Sequence, residues 1–301
     1  MKLHQKKIQE ALKEVDKRKT TYYDTKRAGI YNRMQTHEQR IIDLASEKGA
    51  SSWLTSLPLA DFGFVLNKQK FHDAILLRYN FKVKGVAAAC ACGEQNTVNH
   101  ALICKLGGYV ALRHNSLRDT TAELLKSHGI CKDVETEPSL LRISGEVLPS
   151  GTALGEEARL DVCARNLWSP LAKAFADIRV FHPQAQTNST KSISAMYRSH
   201  ELEKKRKYNS RVINVEKGTF TPLVFSTSGG MGMEATLFYK RVAERVASKT
   251  LQRYSDVVSF IRRRLRFDLL KTTLIALRGF RGCKRNSLSS PIGDLDINLM
   301  E

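Results

Sequence analysis

Residues 157–166, EARLDVCARN, and 174–183, AFADIRVFHP, decide the fold of this chain. Leu160, Val162 and Cys163 surround Asp161, and Phe175, Ala176, Ile178 and Val180 surround Asp177. Apolar residues that alternate or cluster over so short a span predict half-buried strands, with both carboxylates inside them. A carboxylate buried without a partner is costly, so these two call for a metal, an arginine or a hydrogen-bond network. On neighbouring strands they can share one metal.

Working outward, residues 109–129 read as a helix with Asn115 as N-cap and Gly129 as its stop. Leu117, Thr121, Leu124 and Leu125 form its apolar stripe. Asp119 and Glu123, four apart, share a face that looks either toward the strands or to a surface pairing with Arg118 or Lys126. VETEPSLLRIS, residues 134–144, reads as a strand ahead of the two acidic ones. Residues 190–216 read as a long helix whose core contacts are Ile193, Met196, Leu202, Val212 and Val215, with a basic opposite side. TPLVFS at 221–226 adds a fourth strand and 233–250 a further helix. The resulting order is αβββαβα, an α/β protein.

Ahead of this lies a second chemistry. Cys90, Cys92, His100 and Cys104 follow the spacing C-x-C, seven residues, His, three residues, Cys. Three thiolates and an imidazole suit tetrahedral Zn²⁺: the CxCG turn aims two sulfurs at one ion, and a short helix presents His100 and Cys104 a turn apart. Gly93 supplies the backbone freedom the turn requires. Four ligands leave no open position, so the predicted zinc is structural.

Composition sets the wider limits. Of 301 residues, 49 are lysine or arginine and 30 are acidic, a formal charge of +19 that favours a polyanion, nucleic acid before an anionic membrane. No run of eighteen apolar residues occurs and the N-terminus lacks a secretory apolar core, so a soluble, intracellular protein with reduced thiols is expected. Six segments are expected: a basic helical arm (1–48), a small helical unit (49–88), the zinc knuckle (89–108), the α/β domain (109–250), a basic helical extension (251–286) and a polar, disordered tail (287–301). In the extension, a helix is expected to dock on an apolar side of Leu265, Leu269, Leu270 and Leu274, with Arg262, Arg263, Arg264 and Arg266 either gripping phosphates or forming a solvated face. STSGGMG, before the last predicted helix of the α/β domain, lacks the spacing of a nucleotide-cradling loop.

The knuckle followed by RHN, RLDV, FADIRV and EKKRKY resembles the restriction-like, PD-(D/E)XK endonuclease of non-long-terminal-repeat retrotransposon proteins, over about residues 50–280. That resemblance implies a four-stranded mixed sheet flanked by helices. It also implies a DNA endonuclease holding catalytic Mg²⁺ or Mn²⁺ on Asp161 and Asp177, with Glu123 as a weaker third ligand. Arg113, His114 and Asn115 fit the family's basic-His-Asp/Asn box, which makes Arg113 and His114 candidates for phosphate contact. Leu160 stands where proline is usual, and Arg179 where a lysine is usual. The lysine is then displaced to Lys204 or Lys205, ahead of Tyr208, and Arg179 becomes a phosphate clamp, since an always-protonated guanidinium cannot act as a base. Lys204 is the first choice, because Tyr208 lies four residues on along the same face.

DNA is the expected partner, with RNA a further one, action in the nucleus, and a reverse transcriptase domain in the parent element. The alternative from a different class is a nucleic-acid-binding relic that keeps the fold and the zinc and has lost cleavage.

Overall fold

The structure, a computed structural model, describes residues 2–188, 190–279 and 281. The chain divides into two compact units, Met1–Leu44 and Ala45–Glu301. In the first unit, α1 (Lys2–Tyr31) runs into α2 (Thr36–Ser46). Tyr31 donates its hydroxyl to Asp43 at 2.8 Å and Gln39 donates to the Tyr31 carbonyl at 3.0 Å, so the turn between the helices is tied by polar contacts. Ile8, Leu12 and Val15 are exposed along α1.

The second unit contains α3 (Lys68–Arg78), α4 (Val98–Ile103), α5 (Tyr109–Lys126), β1 (Lys132–Thr136), β2 (Val162–Arg165), β3 (Lys173–Phe181), α6 (Ile193–Asn214), β4 (Thr219–Ser226), α7 (Met233–Thr250) and α8 (Tyr254–Arg278). The strands form one mixed sheet in the order β1-β2-β3-β4, antiparallel at the first two junctions and parallel at the third. No described helix is long and apolar enough to cross a membrane.

Strand alternation divides the core between the two faces of the sheet. Val162, Ala164, Ala176, Ile178, Leu223 and Phe225 pack with Leu117 and Leu125 of α5, Phe238 and Val242 of α7, and Ile261 and Leu265 of α8. On the other face Cys163, Phe175 and Phe220 meet Tyr208 and Val212 of α6, while Phe181 and Val224 meet its Met196 and Tyr197. Asp177 sits between Phe175 and Phe181 on the β3 face that α6 covers.

Several local expectations need correction. The first strand lies a little upstream of residues 134–144 and is an exposed edge; Pro138, without an N–H, cannot extend the ladder. Asn115 does not cap α5, which starts six residues earlier, after Gly108 at φ +74°. α5 also stops at Lys126, and Gly129 ends the 3-10 turn beyond it. α6 is capped by Ser192, whose side chain accepts from the Ala195 N–H at 3.2 Å, and its Leu202 faces solvent. Asp161 lies outside the strand, at the bend immediately before β2.

In the basic extension expected at 251–286, α8 does dock through Leu265, Leu269, Leu270 and Leu274, but it is a central strut of the unit and Arg266 is buried with them. It buries Val257, Ile261, Leu265 and Leu269 in the main core, and Phe267, Leu270 and Leu274 against Trp53, Phe64 and Ala74 of the segment preceding the knuckle. Arg262, Arg263 and Arg264 are consequently half-buried. Arg262 lies against Gly49, Arg263 bonds the Ser259 carbonyl at 3.3 Å, and Arg264 pairs with Glu123 at 3.2 Å and Asp268 at 3.6 Å.

A buried polar contact joins α6, β4 and α8. Glu47 meets Tyr197 and Ser226, with the Arg266 guanidinium nearby, and a Cβ at Gly230 would collide with both Tyr197 and Glu47. Burial pushes the Glu47 carboxyl up to about 7 against the opposing pull of Tyr197, Ser226 and Arg266. Its folded pKa exceeds its unfolded value, so the stability it contributes is fully present below the ordinary carboxylate range and is lost as pH rises through about 7. Melting temperatures measured from pH 4 to pH 8 should therefore fall more steeply for the parent protein than for Glu47→Gln. Parallel curves would assign any fall to other groups.

Candidate functional site

The Cys/His cluster is built on a short hairpin. Ala89 bridges Gln95, the Cys90 N–H donates to the Glu94 carbonyl at 2.8 Å, and Gly93 turns the chain at φ +94°. Thr97 caps α4 by accepting from the His100 N–H at 3.1 Å, which places His100 on the helix and Cys104 just past its end. Cys90 and Cys104 sulfurs are 3.8 Å apart, Cys92 and Cys104 sulfurs 3.9 Å, and Cys92 Sγ lies 3.3 Å from His100 Nε2. All four donors lie within 4.8 Å of one another. A tetrahedron with metal–sulfur bonds of about 2.3 Å has sulfur–sulfur edges of about 3.8 Å, so this set can hold a metal ion such as zinc.

Arg113 anchors this segment. It is 2 % exposed and donates Nη2 to the Leu102 carbonyl at 2.9 Å. Burial pushes its pKa down to about 10. The expected phosphate contact by Arg113 is thereby corrected, because its guanidinium is enclosed. His182, just past β3, adds a second tie, reaching Asn99 at 2.9 Å and Thr227 at 2.8 Å.

The two aspartates come together across the sheet. Val162 pairs with Ala176 and Cys163 with Phe175, so the next positions along this antiparallel register are 161 and 177. The Asp161 N–H donates to the Ala176 carbonyl at 3.2 Å, and its Oδ2 accepts from the Ile178 N–H and lies 3.1 Å from His114 Nε2. The Asp161 hydrogen bond raises the His114 pKa against the effect of burial. Asp177 is 5 % exposed and its carboxylate contacts the Lys204 ammonium, delivered from α6. Burial, helped by the charge of Asp161 and opposed by Lys204 and His114, pushes the Asp177 carboxyl up to about 6. Lys204 also lies over the Tyr208 ring, 5.8 Å from its centre.

Helix geometry sorts the remaining candidates. Lys205, turned about 100° from Lys204 around α6, pairs with Glu234 at 2.5 Å and is not part of the acid cluster. Arg179 is exposed on the same β3 face as Asp177, two residues along, beside His200. Glu123 lies nine residues after His114, roughly half a turn around α5, and its partner is Arg264. That corrects its assignment as a third ligand. Arg118, one turn after His114, forms the expected surface pair with Asp119 at 2.8 Å; what sequence reasoning missed is that it also binds Glu137 and adds positive charge near Asp161. The four-residue step from His114 was the available signal. Among the described residues, only the Cys/His cluster brings three or more such donors within metal-binding reach. The acid site is a pair.

No family model and no curated protein matches this chain.

Proposed function

We propose that this protein is a divalent-metal-dependent DNA endonuclease of the PD-(D/E)XK type, of retroelement origin, that nicks target DNA. One observation carries this reading: Lys204, from a helix, touches Asp177, and Asp177 stands opposite Asp161. Two acids and a lysine, gathered where β2 begins beside the middle of β3, form the group that phosphodiester hydrolysis needs. The resident ion of the Cys/His cluster is read as structural zinc.

Asp161 and Asp177 fit a hard divalent cation such as Mg²⁺ or Mn²⁺, since they offer oxygen donors from adjacent chain segments at a partly enclosed site. Such an ion supplies Lewis acidity and a water of lowered pKa. The chain's own residues do the rest. Lys204 offers a proton-transfer group and positive charge beside the reacting phosphate. His114 holds the Asp161 carboxylate in one orientation, and Arg179 reaches from the same face toward the phosphate path. The expected partner is DNA in the nucleus, with RNA and a reverse transcriptase of the parent element as further partners.

The engagement of both carboxylates by His114, the Ile178 N–H and Lys204 favours one alternative, a DNA-binding protein that has lost cleavage. Supercoiled plasmid incubated with protein and Mg²⁺ separates the two readings. Nicking that Asp161→Asn abolishes while DNA affinity is kept or strengthened is the expected result. Intact plasmid at every protein concentration, with tight DNA binding, would leave the second reading standing.

A further inference from the structure

We propose that the outer face of α7 carries a second phosphate-gripping surface, separate from the acid cluster, that takes the backbone of a nucleic acid. An open groove is lined there by Gly129, Ile130, Arg241, Glu244, Arg245, Ser248 and Lys249. Arg241, Arg245 and Lys249 recur every four residues, so they form a row along one helix face rising about 6 Å per step. This step is comparable to the separation of neighbouring phosphates on one strand.

The three cations are held in place before any ligand arrives. Arg241 donates to the Leu167 carbonyl at 3.0 Å and the Trp168 carbonyl at 3.3 Å, Arg245 to Ile130 at 3.3 Å, and Lys249 to Gly129 at 2.8 Å. Gly129 turns the chain here at φ +59°, a conformation that favours glycine, and brings its carbonyl to the Lys249 ammonium. Side chains fixed on folding lose less entropy on binding. Their charge is largely uncompensated, because carbonyls are dipoles and, among the described residues, Glu244, 3.3 Å from Arg241, is the row's one carboxylate partner. Arg245 and Lys249 keep further N–H donors beyond the single carbonyl bond each makes.

Position makes the surface independent of the acid pair. Arg241 grips the turn between β2 and β3, and Ile130 precedes β1, so the groove lies at the sheet end where Lys132, Arg165 and Lys173 are paired. Asp161, just before β2, and Asp177, midway along β3, lie away from it, roughly 13 Å from Arg165 along β2. A repeated row of cations suits a repeated anion, and with the chain's net charge of +19 the phosphodiester backbone is the matching class.

The test is the salt dependence of binding in the Asp161→Asn background, so that it reads affinity whether or not the protein cleaves. Arg245→Gln with Lys249→Gln removes two charges and keeps amide donors for the Ile130 and Gly129 carbonyls. The slope of log affinity against log salt should become shallower by about 2, near 0.9 per lost phosphate contact. Parallel titrations with duplex DNA and single-stranded RNA show which strand type uses the surface, the larger slope change identifying it. Arg253→Gln, an exposed arginine outside the groove, should leave both slopes unchanged. Lys249→Ala alone, at the exposed end of α7, should lower the slope by about one and serves if the double variant melts early. Unchanged slopes for both probes with folded protein would overturn the proposal.

Discussion

Lys204→Ala is expected to slow plasmid cleavage by about 10²–10⁴-fold, the scale of losing a positioned proton-transfer group or charge stabiliser, with DNA affinity little changed. The argument rests on placement. α6 brings the Lys204 ammonium onto the buried Asp177 carboxylate, while Lys205 turns away to Glu234. Lys205→Ala should therefore cut at a near-parental rate. Lys204→Arg keeps the charge but holds its proton at any working pH, so it should restore binding geometry without restoring the rate if Lys204 transfers a proton. Removing the cation also leaves Asp177 buried without its nearest partner, so melting curves must accompany the rates. Folded Lys204→Ala that cuts at the parental rate would eliminate the lysine from the mechanism and leave Arg179 as the basic group beside the acids.

The second large effect concerns the Cys/His cluster. About one zinc per chain is expected, and Cys104→Ser or His100→Ala should lose it together with the local fold. Structural zinc contributes about 10–16 kcal/mol of apparent binding energy in small fingers, as much as the whole stability of an ordinary domain. α4 spans only Val98–Ile103, too short to be stable alone, and its Ala101 and Leu102 pack against Leu277 and Ala276 of α8. Hydrogen exchange should therefore quicken across the knuckle and at the C-terminal end of α8, with the acid cluster much less affected. Protein purified without chelator and found free of zinc by metal analysis would refute the assignment.

Where the two readings meet, local pattern was enough. The apolar run around Asp177 marked β3, the Met233–Thr250 helix was bounded correctly, and four soft ligands at close spacing identified a cluster whose donors do converge. The four-residue step from Lys204 to Tyr208 singled out the lysine that touches Asp177. Such features are legible because strand and helix periodicity, and short ligand spacing, are properties of neighbouring residues.

Other features depended on partners distant in sequence. The apolar side of α8 was legible in Leu265, Leu269, Leu270 and Leu274, but only its neighbours Trp53, Phe64, Leu117 and Val242 make the helix a central strut whose Arg262, Arg263 and Arg264 are half-buried. Glu123 resembles a metal ligand until Arg264 claims it from the far side of α5, and Arg113, whose carbonyl partner Leu102 is near in sequence, resembles a phosphate ligand until the packed unit buries it. Composition and periodicity therefore determined the element order, the Cys/His ligand set and the pair of aspartates. Which charges face a ligand and which serve the core was decided by tertiary packing, because burial and pairing are set by residues that the chain brings together from more than a hundred positions away.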